Sequence, residues 1–307
     1  MLIINILQNE LQIYHSHLSV IMLFLKKNIH WICLLIAAIF VTAHCIYDVI
    51  RPNHLLWKVS HPIEIQWFET KYLYLMIHIL PLLPIIIACL YPKIAFYKNF
   101  NRALPALLIT AIPFLIWDYF KTIYDVWGFN PNYYTTNFFE LPAEEYLFFF
   151  NMPMGILLIH EGLNTFFPYN RNFIWEKWFT RVLIIAFLTI GLTHWGRAYT
   201  CITFVLCGIA LLYHQIQFES ISRIRFYRTY MVGFIGFFLV NSILTGIATR
   251  EPIVLYNPEE YLGIRLITIP LDDMAYNFLL LLMCITLYDY KTFYSFKYKN
   301  SNKWVNI

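Results

Sequence analysis

Leu141-Pro142-Ala143-Glu144-Glu145-Tyr146-Leu147-Phe148-Phe149-Phe150 heads an apolar run that continues to Phe166. About 20 such residues cross a bilayer as a helix, so the stretch predicts a membrane span with two carboxylates in its first turn. Upstream stands Phe129-Asn130-Pro131, with eleven residues from Pro131 to Pro142. A variant returns later as Tyr256-Asn257-Pro258, then twelve residues to Pro270, then Leu271-Asp272-Asp273 at the head of another apolar run. Asn-Pro, a later Pro, and an acid pair two residues beyond it occur twice in the same order.

Proline suits the first turn of a helix, where its missing N–H costs no hydrogen bond, so Pro142 and Pro270 predict helix starts. Glu144, Glu145, Asp272 and Asp273 then lie in first turns, where the helix dipole favours the ionised acid by roughly 0.3–1 kcal/mol. Burial among aromatics and an adjacent like charge favour the protonated form. A pair held between these effects can keep one proton near neutral pH, as a general acid requires. Capping at a membrane surface would explain one acidic pair. Two in matched context point to chemistry and make all four candidate catalytic residues.

Asp118 joins them, because a carboxylate inside a membrane is costly enough to imply a role. Glu144 shares a helix face with Phe148, and Asp272 with Tyr276. Asn151 and Asn277 fall on the faces that bear the acids, and Asn241 occupies in the second unit the place of Asp118 in the first. For the asparagines an interhelical hydrogen bond is an equal reading, and for any single ring ordinary packing against lipid. Asn130, Pro131, Phe148, Asn151, Asn257, Pro258, Tyr276 and Asn277 form the set of candidate substrate contacts. His160-Glu161 are expected to meet water at the end of their span.

Composition fixes the class around these motifs. The 307 residues are 60% hydrophobic, 19% aromatic and 13% charged, against about 25% charged in soluble domains. The chain therefore reads as an integral, all-α membrane protein. A net charge of +4 gives no reason to expect nucleic acid as a partner. The cysteines are scattered through apolar runs and no His-Glu-x-x-His spacing occurs, so neither a disulfide framework nor a metal site is expected.

Eight spans are expected, at about 29–50, 71–91, 103–124, 142–166, 174–192, 197–216, 227–249 and 270–290. Of the 22 Lys and Arg residues, 15 lie at 26–27, 93–102, 171–181, 223–228 and 291–303, and 7 fall between them on the alternate side. By the positive-inside rule both termini are cytoplasmic. The expected layout is an extension with one transmembrane helix (1–70), a first repeat (71–168), a linking helix (169–196), a second repeat (197–291) and a basic cytoplasmic tail (292–307). Three helices plus one linker leave the two three-helix repeats parallel, with all four motif acids at one face. Such repeats commonly build a site at their interface. Parallel repeats and intramembrane acids would also suit a proton-coupled transporter, although the acids sit at helix heads rather than mid-span.

Trp117-Asp118, Val126-Trp127-Gly128-Phe129-Asn130-Pro131 and Leu141-Pro142-Ala143-Glu144-Glu145 resemble the lycopene cyclase domain of the non-flavin, integral membrane type. Tyr256-Asn257-Pro258, Gly263-Ile264-Arg265 and Ile269-Pro270-Leu271-Asp272-Asp273 resemble a second copy of it. The chain is similar to the tandem form over roughly 70–291. Asp272 stands where the family has Glu, and the first loop is one residue shorter, with no counterpart of Gly263. The resemblance implies a cyclase in the cell inner membrane that closes the linear ψ end groups of lycopene by proton addition and loss, giving β-carotene through γ-carotene. It further implies carotenoid substrate in the bilayer, membrane lipid and other enzymes of the carotenoid pathway as partners. The only glycine pattern near a dinucleotide fingerprint is Gly233-x-x-Gly236, so no flavin or other cofactor is expected.

Overall fold

The computed structural model describes residues 64–168 and 174–301, together with residue 32 and residues 35–39; for 174 and 291–301 it describes the backbone alone. Seven long helices carry these residues: α1 (Leu73–Leu90), α2 (Phe100–Ile123), α3 (Ala143–Phe166), α4 (Ile174–Thr193), α5 (Ala198–Gln217), α6 (Ser220–Leu244) and α7 (Leu271–Ser301). All but α4 are long and apolar enough to cross a membrane. The protein is an all-α membrane protein.

The stretch expected as the linking span is helical as α4 but carries Glu176, Lys177 and Arg181 in its first half, so six of the eight expected spans are long and apolar enough to cross among the described residues. The anchor expected at 29–50 lies almost wholly outside the described residues, of which 35–39 are helical.

The helices pack with the symmetry of a duplication. α1 lies against α3 as α5 lies against α7; α2 crosses to α7 and α6 crosses to α3; α3 and α7 meet between them. Gly233 of α6 makes one of these crossings tight, since a Cβ there would stand 2.1 Å from Ile156 Cδ1 on α3. Small residues at helix crossings allow such approach where no hydrophobic drive separates protein from lipid.

At the acid-bearing end, short strands tie the repeats together. β1 (Trp127–Phe129) pairs antiparallel with β4 (Val254–Tyr256) in the register Trp127–Tyr256, Gly128–Leu255, Phe129–Val254. Beyond the strands Asn130 N donates to Ile253 O at 2.8 Å, and Asn257 N donates to Val126 O at 3.1 Å. The two bonds exchange under a two-fold rotation through Gly128 and Leu255. Both Asn-Pro loops are therefore at one end, as parallel repeats require.

A hairpin follows in each loop, β2 (Asn137–Phe138) with β3 (Leu141–Pro142), and β5 (Arg265–Leu266) with β6 (Ile269–Pro270). Equivalent hydrogen bonds flank each loop's approach to its hairpin. Thr135 N and Leu262 N both reach the first acid of their motif, while Thr136 O and Ile264 O accept from Ala143 N and Leu271 N. The extra residue of the second loop is thus Gly263. Its φ of +83° is a conformation in which a Cβ is penalised.

Three expectations change in detail. Pro142 and Pro270 end the β3 and β6 hairpin strands, one residue before their helices, and Pro142 is an N-cap with ψ 141°. Helix α6 begins at Ser220 rather than 227, because Arg223 is buried and paired with Glu176 of α4 at 2.5 Å instead of marking a water-facing boundary. Helix α7 continues to Ser301, since residues 291–301 contain neither Gly nor Pro to stop it.

Candidate active site

Each acid pair divides its labour, and the division is the same in both repeats. The first acid turns back to the loop. Glu144 Oε1 accepts Thr135 N at 2.9 Å and Thr135 Oγ1 at 2.6 Å. Asp272 accepts Leu262 N at 3.1 Å and Thr200 Oγ1 at 2.5 Å. The second acid turns inward. Glu145 Oε2 accepts the hydroxyl of Tyr74 on α1, and Asp273 Oδ1 accepts that of Tyr199, the equivalent residue on α5, at 2.7 Å.

Relative exposures are 1% for Glu144, 6% for Glu145, 0% for Asp272 and 5% for Asp273. Buried to this degree, the acids are not surface caps of the kind an isolated acidic pair suggests.

The inward acids meet in one cavity of about 60 Å³ where the repeats join. It is lined by Tyr74, Asp118, Glu145 and Phe148 from the first repeat, by Tyr199, Asn241, Asp273, Tyr276 and Asn277 from the second, and by Trp127, Phe129 and Tyr256 of the paired strands. Asp118 lies five residues before the end of α2 and Asn241 three before the end of α6, each beside the inward acid of its repeat. In each case a threonine four residues on, Thr122 or Thr245, donates to the backbone carbonyl of that residue.

Asn241 Nδ2 donates to Asp273 Oδ2 at 2.7 Å, and Tyr256 Oη donates to the same oxygen at 2.7 Å. Burial and then the Asp273 charge push the Tyr256 hydroxyl well above its usual range, so it stays a donor. Asp118 and Glu145 line the same cavity, where Asp118 Oδ2 is buried without a hydrogen-bond partner among the described residues.

Aromatic faces surround these groups. The Tyr276 ring lies 5.0 Å from Trp117, 5.1 Å from Phe114 and 6.2 Å from Trp127, and Trp127 stands edge-on to Tyr199 at 4.8 Å. A cation in the cavity would face π density on several sides. The Tyr276 hydroxyl and Asn277 Nδ2 are buried without a hydrogen-bond partner among the described residues.

Of the residues singled out from sequence, the structure brings Asp118, Glu145, Phe148, Asn241, Asp273, Tyr276 and Asn277 to the cavity. Glu144 and Asp272 stand behind it. Asn151 lies on α3 away from it, with Nδ2 3.5 Å from His78 O. Asn130 and Asn257 form Asx turns, accepting from Asn132 N and Glu259 N at 3.1 Å each, while their amides reach Glu251 and Asp125 O in the opposite loop. With Pro131 and Pro258 they fasten the loops and do not line the cavity.

His160 does not meet water. It is fully buried at the far end of α3, between Thr229 Oγ1 at 2.8 Å and Asp289 Oδ2 at 3.2 Å, because α6 and α7 close over it. Sequence reading missed Tyr74, Tyr199, Trp127 and Tyr256 as cavity residues. Aligning the repeats helix by helix would have exposed the first pair, a tyrosine just inside the start of α1 and of α5.

A family model for lycopene cyclase matches residues 71–163 and 196–291, more than half of the chain and in two segments. The chain belongs to the lycopene cyclase family. No curated protein and no solved structure matches it. Membership makes this protein an enzyme of the cyclase type with a carotenoid as substrate, and the two matched segments are the two repeats whose inward acids share the cavity.

Proposed function

We propose that this cyclase converts the linear ψ end groups of lycopene to β-rings, giving β-carotene through γ-carotene, by proton addition, ring closure and proton loss with no net redox change. The observation that carries the proposal is the meeting of Glu145 and Asp273, one from each repeat, in a single aromatic-walled cavity. Proton-initiated cyclisation needs an acid, a base and a dry surface that tolerates a carbocation. The Asp118–Glu145 pair, Asp273 and the rings of Trp127 and Tyr276 provide these. Glu144 and Asp272 hold the loops that close the cavity.

The repeats span 71–168 and 197–291, joined by a linking segment at 169–196. The enzyme lies in the cell inner membrane with both termini cytoplasmic and the acid-bearing end on the opposite side, following the distribution of basic residues.

The test is conversion of lycopene by membranes containing this chain alone, without added nucleotide, followed by chromatography of the pigments. Rings of the β type are expected, with a monocyclic intermediate appearing first. Unchanged lycopene in well-inserted protein would refute the proposal. Reporter fusions within 93–102 should read cytoplasm and those within 128–140 the other side; the opposite result would reverse the orientation.

A further inference from the structure

We propose that the two repeats carry opposite halves of the proton transfer: the Asp118–Glu145 pair of the first delivers the proton to the terminal alkene, and Asp273 of the second removes the proton from the ring cation. This division rests on the cyclase reading above and assigns its polarity.

Three of the positions that differ between the halves bear on the inward acids, and all three differ in the same sense. Where the first repeat has Asp118 beside its inward acid, the second has Asn241, an amide that donates at 2.7 Å. Where the first has Phe129, the second has Tyr256, whose hydroxyl donates at 2.7 Å. Where the first has Asn137, the second has Arg265, whose guanidinium lies 5.4 Å from the centre of the Tyr256 ring.

Asp273 therefore accepts three hydrogen bonds, from Tyr199, Asn241 and Tyr256, with a cation behind one of the donors. This is the setting of a carboxylate that carries its charge. Glu145 has one donor, Tyr74, and shares the cavity with a second carboxyl of its own repeat, Asp118. Asp118 Oδ2 is buried and receives no N–H or O–H donor from the described residues. Two buried carboxyl groups on one cavity, with a single hydroxyl donor between them, disfavour a double negative charge and hold a proton, as in carboxyl dyads that share one. The first half holds a proton to give; the second holds an electron pair to receive one.

The proton leaves the Asp118–Glu145 pair and forms a C–H bond at the terminal alkene of the ψ end group, leaving a tertiary cation. The electron pair of the next reacting alkene closes the carbon–carbon bond of the ring and passes the positive charge to a ring carbon, beneath the aromatic wall. Asp273 takes the neighbouring ring proton, and that C–H electron pair becomes the ring double bond. The product is an isomer of the substrate. Asp273 is left one proton richer and the pair one proton poorer, and water entering the vacated cavity returns the proton between them.

The test uses the full-length protein in membranes with lycopene in deuterated water, read by mass spectrometry of both recovered lycopene and product. The unaltered enzyme is expected to place one deuterium in each ring. Asp273→Asn is expected to lose ring formation at least 100-fold while recovered lycopene still gains deuterium, because protonation proceeds and reverses. Glu145→Gln and Asp118→Asn are expected to lose both, and Asp118→Glu, which keeps a carboxyl, to regain exchange. Thermal unfolding in detergent confirms that each variant is folded.

Deuterium exchange in Glu145→Gln but not in Asp273→Asn would overturn the assignment and place the donor in the second repeat. Loss of exchange in all the amide variants would overturn it as well. Absence of rings from the unaltered enzyme would instead refute the cyclase reading itself.

Discussion

The two halves of the cavity are copies that hold their inward acids alike and surround them differently. Tyr74 and Tyr199 hold Glu145 and Asp273 alike, and Thr135 and Leu262 hold Glu144 and Asp272 alike. The neighbours of the inward acids are not alike. One shares its side of the cavity with another carboxyl, the other meets an amide, two phenols and a nearby guanidinium. Duplication built a two-fold shell, and substitution at a few positions made its interior polar in one direction. Symmetric packing is thus compatible with an asymmetric proton path, because packing is set by shape and the path by three or four donors.

The largest expected effect separates inward from outward acids. At matched protein level, Glu145→Gln and Asp273→Asn should each lower product formation by ~10²–10⁴, the range for loss of a general acid or base. Comparable losses for Glu144→Gln and Asp272→Asn would erase the distinction between the two members of each pair.

An exchange sharpens the comparison further. Asp118→Asn combined with Asn241→Asp moves the second carboxyl to the other half, and should recover at least about tenfold of what Asp118→Asn alone loses. No recovery in pigment assays would mean the shell is less symmetric in function than in form.

A smaller change is expected from Tyr256→Phe, which makes the second half resemble the first at that strand. Losing one hydrogen bond to a charged carboxylate costs about 1.5–3 kcal/mol, or at least about tenfold in rate. An unchanged rate would remove Tyr256 from the set that holds Asp273.

Smallest of all are the loop positions. Glu144→Gln and Asp272→Asn keep an acceptor oxygen and should cost ~1 kcal/mol of stability. Gly263→Ala should cost about 1–2 kcal/mol through its left-handed backbone. Thermal unfolding in detergent measures both, and activity per folded molecule should stay within about tenfold. A Gly263→Ala protein as stable as the parent would show that the inserted residue bears no strain.

The order of motifs along the chain already carried much of this. Paired acids after Pro142 and Pro270 did sit in first turns, because proline and the helix dipole act locally. Apolar length fixed the helices for the same reason. Their boundaries were less legible where a charge is buried by a partner distant in sequence, as with Arg223 and Glu176. His160 was misjudged for the same cause, its partners Thr229 and Asp289 lying on other helices.

By itself the sequence determined an all-α membrane protein, a duplicated unit, and two acid pairs at one end of it, because hydropathy, repetition and helix starts are properties of neighbours in the chain. Only the tertiary structure decided which acid of each pair faces the cavity. One residue along a helix turns a side chain by roughly 100°, and the crossing of α2 onto α7 and of α6 onto α3 chooses the face. It also decided that Asn130 and Asn257 fasten loops, and that Tyr74 and Tyr199 complete the site. Those assignments depend on groups from both repeats meeting across the interface, a relation fixed only when the chain folds.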